Sequence, residues 1–413
     1  MKLLFDLIAT QPCGESKFHG GGEYAKIVFK HLVAKADAGS LACFYDSGLE
    51  LDEEIRDLAE RNRLELIALS TNEELSGLLN KGNYSVFYSA LPYRYHDLKI
   101  ERADVKLIYT IHGLREIELP TDRYEGKYRQ GVSEKMKFVL KSLFGASYIR
   151  HKKEQIEKLL KSKAPLEIVV PSFHTKYSLI NYFPEFDASN VKVMYSPRKT
   201  EESDKFFDLS PYGVEPRGYF LLISGNRWLK NGYRAIRALD EIYGAFRTNV
   251  KTVVLGVKNS DMYKKAIRNP EQFVFLDYVS SEQLDFFYRQ AFCFVYPTLN
   301  EGFGYPPLEG MRHETPVIAS SITSISEVCR DGVIYFNPFS IEEMKNRIIS
   351  VLFDSDIREA YARRGREVYE AVSSKQDEDL DRLIGLLLGE ERISEPAGGK
   401  DPELEELEKA FVV

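Results

Sequence analysis

Short runs of β-branched and aromatic residues alternate with helically spaced stretches along this 413-residue chain, which is the pattern of a parallel α/β sheet. In the first half the strand-like runs fall at residues 3–8, 41–45, 64–69, 86–91, 105–111, 168–171 and 191–195. In the second half they fall at 219–224, 252–255, 273–276, 292–296, 316–319 and 333–336. Two comparable series predict two doubly wound, Rossmann-like domains, residues 1–195 and 218–380. Pro197, Pro211, Gly213, Pro216 and a charge run interrupt the pattern and mark 196–217 as the linker. Beyond Ile341 the spacing is helical, and 381–413 reads as a terminal helix or tail, with the acidic stretch after Pro396 a flexible segment or short helix.

Residues 133–149, rich in Met, Phe, Leu and Tyr, read as a mostly core-facing helix. Residues 151–163 place Ile156, Leu159 and Leu160 on one helical stripe. The whole segment 127–163 carries eleven Lys/Arg against three Glu. Two readings stay open for it: a solvated amphipathic surface, or a patch that meets anionic membrane headgroups or a lipid-phosphate acceptor.

Composition narrows the class. With 44% hydrophobic and 29% charged residues the chain is globular, and a net charge of −7 argues against a nucleic-acid partner. No run of about eighteen apolar residues exists, so no span is expected. The opening residues 1–8 are too short for a signal-peptide core. Cys13, Cys43, Cys293 and Cys329 lie far apart, without disulfide or zinc spacing, and read as reduced thiols of a cytoplasmic protein.

Chemistry concentrates after the run 292–296. There Glu301-Gly-Phe-Gly-Tyr-Pro-Pro-Leu-Glu309 sets two carboxylates eight positions apart around a glycine-rich turn at a strand's carboxyl end, where open α/β sheets bind ligands. Gly302 and Gly304 leave backbone N–H groups accessible, and a helix opening at Leu308 and Glu309 would add an anion-favouring N-terminus. Carboxylates that bracket an anion cradle suit a phosphate joined to polyols, as in a nucleotide sugar.

Three further elements carry candidate chemistry. Gly20-Gly21-Gly22 opens a helix after the first strand, though not as G-x-G-x-x-G. His112 and a glycine follow the strand 105–111. Gly225-Asn-Arg227-Trp-Leu-Lys230 follows the strand 219–224 and offers a guanidinium and an ammonium to a diphosphate. No Asp-x-Asp pair is placed to hold a metal.

Glu301 to Glu309, with Thr315-Pro-Val-Ile-Ala-Ser320 and Ser324-Ile-Ser-Glu327-Val328, resembles the donor-site signature of family 4 retaining glycosyltransferases. The resemblance is firm over about residues 219–340, looser over 1–195, and absent after Glu390. It implies the GT-B architecture: an N-terminal acceptor domain and a C-terminal donor domain across a cleft. It implies transfer of a sugar, with retention and without metal or other cofactor, from a UDP- or GDP-linked donor to a glycan or lipid-linked acceptor. Polysaccharide biosynthesis at the inner face of the cytoplasmic membrane is the implied setting.

The resemblance also implies a role for each residue. Glu301 orients the donor sugar beside the developing oxocarbenium charge, and His112 positions that sugar from the opposite domain. Arg227 and Lys230 neutralise the leaving phosphates, although only two residues separate them, fewer than in the family's usual pattern. Gly20, Gly21, Gly22, Gly225, Gly302, Phe303, Gly304 and Leu308 line the donor, and Glu309 takes its ribose hydroxyls. Near Asp277 a strand end meets the base, and Glu327 is a helix-capping or supporting acid. The alternative is a nucleotide-sugar-binding protein of the same fold with epimerase activity or no activity.

Overall fold

The computed structural model describes residues 2–12, 20–37, 39–199 and 204–390. Cys13, His19 and the tail beyond Glu390 lie outside them. Among the described residues thirteen strands form two parallel sheets. The first contains β1 (Leu3–Asp6), β2 (Leu41–Asp46), β3 (Glu65–Leu69), β4 (Val86–Ser89), β5 (Lys106–Thr110), β6 (Leu166–Val170) and β7 (Val191–Val193). The second contains β8 (Tyr219–Leu222), β9 (Lys251–Val254), β10 (Phe273–Phe275), β11 (Cys293–Tyr296), β12 (Val317–Ser320) and β13 (Ile334–Phe336).

Their orders are β3-β2-β1-β4-β5-β6-β7 and β10-β9-β8-β11-β12-β13, so both are doubly wound, with the chain reversing direction at β1/β4 and β8/β11. Each predicted run forms a strand. Burial explains why: β1, β4, β8, β11 and β12 are buried at every position, and a sheet covered on both faces selects continuous apolar runs. The first strand stops at Asp6, because residues 8–10 turn into a 3₁₀ helix.

The helices include α1 (Gly20–Lys35), α2 (Gly131–Leu143), α3 (Gly145–Leu160), α4 (Phe173–Tyr182), α5 (Ser281–Gln290), α6 (Tyr305–Arg312), α7 (Ser324–Cys329) and α8 (Ser355–Leu388). Ser280 caps α5 through a reciprocal capping box with Gln283. Helix α8 joins the two domains: Val368 and Val372 pack into the second-domain core, whereas Leu380, Leu383, Ile384 and Leu387 pack against β1 and α1. Position 380, the expected end of the donor domain, therefore falls inside a continuous helix.

The expectation of a core-facing helix over 133–149 is corrected. No residue of α2 is buried, and Val132, Met136, Val139, Leu140, Leu143 and Phe144 are exposed. Apolar content alone does not specify which way a helix faces; the packing partner does. The stripe in α3 behaves as read, since Leu159 and Leu160 are buried and Ile156 packs against the same first-domain core.

Candidate active site

The loops after β8 and β11 lie side by side at the second domain's switch point, since those strands pair through Phe220 and Cys293. The first loop carries Arg227 and Lys230, and the second carries residues 298–304. They are tied together: Leu299 N donates to Leu229 O at 2.8 Å, and Thr298 Oγ1 reaches the same carbonyl at 3.3 Å. A 3₁₀ turn over Trp228–Lys230 points the lysine into the domain, where it is buried, while Arg227 stays exposed.

Glu301 is the centre of this arrangement. Its Oε1 accepts from Lys230 Nζ, from Tyr296 OH at 2.7 Å and from Thr298 Oγ1 at 2.8 Å. Lys230 also donates to Tyr296 OH at 2.6 Å. Burial by itself would raise the Glu301 carboxyl; the ammonium and the two hydroxyls outweigh it and hold the group below its usual range. Glu301 is thus an ionised carboxylate in a partly desolvated site, where a nearby developing cation is stabilised strongly.

Glu309 has a different environment. It sits within α6, which starts at Tyr305 rather than at Leu308 as expected, because Pro306 and Pro307 fit the first helical turn. Gly304 precedes it at φ +109°, in the left-handed region that favours glycine. Burial raises the Glu309 carboxyl, against the pull of the Arg312 guanidinium at 3.2 Å.

The first domain closes on this loop. A Cβ on Gly302 would lie 1.5 Å from His112 O, so only glycine permits the approach. Ser172 Oγ, at the N-cap of α4, donates to Gly302 O at 2.7 Å. Glu327, on α7, accepts Phe173 N at 2.9 Å and His174 N at 3.0 Å. It caps a helix of the opposite domain, which refines the helix-cap reading. Asn300 donates to Glu118 Oε2 at 2.6 Å, and Arg234 pairs with Asp122 at 2.8 Å with both side chains nearly buried.

His112 reaches the cleft at its backbone; its Nε2 lies 2.9 Å from Ala90 O, and its ring stands edge-on to Tyr24. Gly20, Gly21 and Gly22 form the first turn of α1, with Gly21 against Leu91. Gly225 is fixed by packing, since a Cβ there would meet Val257. Phe303 and Leu308 are buried in the second-domain core. A cavity of about 510 Å³ lies between the domains on the Arg227 side, lined also by Arg115, Arg129, Phe138, Lys141 and Trp228; neither Glu301 nor Glu309 lines it.

Tyr296, Thr298, Asn300, Glu118 and the Arg234–Asp122 pair were not singled out from the sequence. Thr298 and Glu301 stand three apart, a spacing that allows a local side-chain contact. Tyr296 lies five positions before Glu301 at the end of β11, whereas Glu118, which pairs with Asn300, and the Arg234–Asp122 pair join distant segments and leave no such signal.

Comparison with known proteins places these features. Residues 212–368 match the family model "Glycosyl transferases group 1". The chain is 44% identical over 68 residues to O-antigen chain mannosyltransferase RfbU of Salmonella typhimurium, covering 16% of this chain and 19% of that protein. It is 38% identical over 91 residues to O-antigen chain mannosyltransferase B of Escherichia coli, covering 22% and 24%. The matched stretch thus spans about a quarter or less of either relative.

Anabaena HepE, solved with UDP and glucose, superposes with a TM-score of 0.59 at 14% identity over 93% of this chain and 99% of that one. WaaG, a glycosyltransferase involved in lipopolysaccharide biosynthesis, superposes at 0.62 and 14% identity over 93% and 100%. These likenesses show the GT-B fold.

Proposed function

We propose that the protein is a glycosyltransferase that moves a hexosyl group, mannose being the leading candidate, from a nucleotide-sugar donor to a glycan or lipid-linked acceptor. The observation that carries this reading is the ionised Glu301 held by Lys230, Tyr296 and Thr298 beside the Arg227 loop at the switch point. The Glycosyl transferases group 1 match over the same domain supports it, and the mannosyltransferase relatives favour mannose.

Breaking the bond between an anomeric carbon and a diphosphate requires charge stabilisation on both fragments. Arg227 neutralises the departing phosphate with a guanidinium that it presents at the surface of the cleft. Lys230 holds Glu301 ionised and shares its charge with the leaving group. Glu301 faces the sugar as positive charge develops there. Glu309, with its carboxyl raised, takes ribose hydroxyls, and the first turn of α1 and His112 complete the donor site from the opposite domain. The reaction proceeds with retention, by attack on the face the phosphate leaves, and the leaving phosphate takes the acceptor's proton. Arg227 and Lys230 make a metal unnecessary for that step.

The test is a thermal-shift screen against UDP, GDP, ADP and their hexose conjugates, with and without Mg²⁺. Ligands that bind the native state raise its melting temperature. Stabilisation by one nucleotide, lost in Arg227→Ala, followed by transfer of its sugar, is the expected result. No response from folded protein would overturn the reading.

A further inference from the structure

Helix α2 is mounted the wrong way round for a surface helix. Its polar side faces the protein: Glu134 bonds Arg129 at 3.5 Å, Lys141 bonds the buried Glu125 at 3.4 Å, and Phe138 packs over Gly126. These residues are spaced i, i+4 and i+7, so they form one stripe. Its apolar side faces solvent. Val132, Met136, Val139, Leu140 and Leu143 follow the spacing i, i+4, i+7, i+8 and i+11, and Phe144 extends the stripe. Val132 is 80% exposed, Leu143 72% and Phe144 63%. Single exposed apolar residues are ordinary; a contiguous stripe over three turns on a helix with no buried residue marks a docking face.

We infer that this face inserts into an anionic membrane leaflet, with α2 lying in the plane of the interface. Charge selects the occupant. The chain carries −7 in total, yet residues 127–163 hold eleven Lys/Arg against three Glu. Lys135 is exposed on one flank of the apolar stripe, Lys137 on the other flank is exposed and pairs with Glu134 at 2.8 Å, and Arg150 is exposed on the adjoining α3. Anionic headgroups complement that rim, whereas a second copy of the chain would set lysines against lysines. The helix backs directly onto the cavity that contains Arg227, so insertion holds that side of the cleft about 10–12 Å, one helix diameter, from the headgroups.

The test uses the full-length chain and sedimentation with vesicles of phosphatidylcholine, with and without phosphatidylglycerol. Wild-type protein is expected to bind the anionic vesicles at least tenfold more tightly than the neutral ones, with salt weakening the binding. The double variant Met136→Ser/Leu143→Ser should lose at least tenfold of that binding. Both side chains are exposed, so its melting temperature and its nucleotide response should stay unchanged. Equal binding by variant and wild type, or no preference for anionic vesicles, overturns the inference. So does a wild-type dimer in solution that the variant abolishes, which would assign the face to a second copy. None of these readouts depends on catalysis.

Discussion

Lys230 and Glu301 form a buried ion pair that joins the loop after β8 to the loop after β11. A single oxygen, Oε1, collects the ammonium and the hydroxyls of Tyr296 and Thr298. Concentrating three donors there fixes the carboxylate before any substrate arrives, and a preformed charge needs no reorganisation during reaction.

Glu301→Gln should therefore lower turnover by roughly a hundredfold or more while keeping nucleotide affinity within a fewfold, because the contacts proposed for the nucleotide are Arg227 and Glu309. The variant also leaves Lys230 buried without its counter-charge, at a cost of ~3–5 kcal/mol. Steady-state sugar transfer and denaturant unfolding check the two effects separately.

Arg227→Ala should behave in the opposite way. The side chain is exposed, so stability should change by less than about 0.5 kcal/mol. Loss of a charged hydrogen bond to phosphate should weaken nucleotide binding by ~1.5–3 kcal/mol, roughly tenfold to a hundredfold by titration calorimetry.

Gly302→Ala tests the cross-cleft approach. The new methyl would fall 1.5 Å from His112 O, so the two loops must separate and the Ser172 hydrogen bond must break. Overpacking of this kind costs ~1–3 kcal/mol. The expected outcome is a larger radius of gyration by small-angle scattering, with activity sharply reduced.

Glu327→Ala should uncap α4 and leave the N–H groups of Phe173 and His174 without their carboxylate partner, at ~1–3 kcal/mol. Faster hydrogen exchange at those two amides, with the β11 core unchanged, is the signature expected of a loosened domain contact.

Asp6 supplies a pH test. It is buried at the carboxyl end of β1, where burial pushes its carboxyl from 3.8 to about 6 against hydrogen bonds from Ser89 and Tyr95. Its folded pKa exceeds its unfolded one, so its contribution to stability is complete below about 3.8 and is lost as pH rises through about 6. Asp6→Asn does not titrate; relative to wild type it should gain ~1–2 kcal/mol between about pH 5 and pH 7.5. Chemical denaturation at the two pH values measures it.

The sequence by itself determined the thirteen strands, their division into two series and the motif at 301–309. A strand buried on both faces must be apolar throughout, and a ligand turn at its end must have glycine, so both leave local marks. Tertiary structure alone decided the partners of those residues. Lys230 turned inward to Glu301, Gly302 met His112 from the other domain, and Glu327 capped a helix more than 150 positions away. It also decided which face of α2 turned to solvent, reversing the core-facing reading. Periodicity records that a helix has an apolar side, but the packing of its polar stripe against Arg129 and Glu125 settles where that side points. Contacts between distant segments have no spacing in the chain from which they could be read.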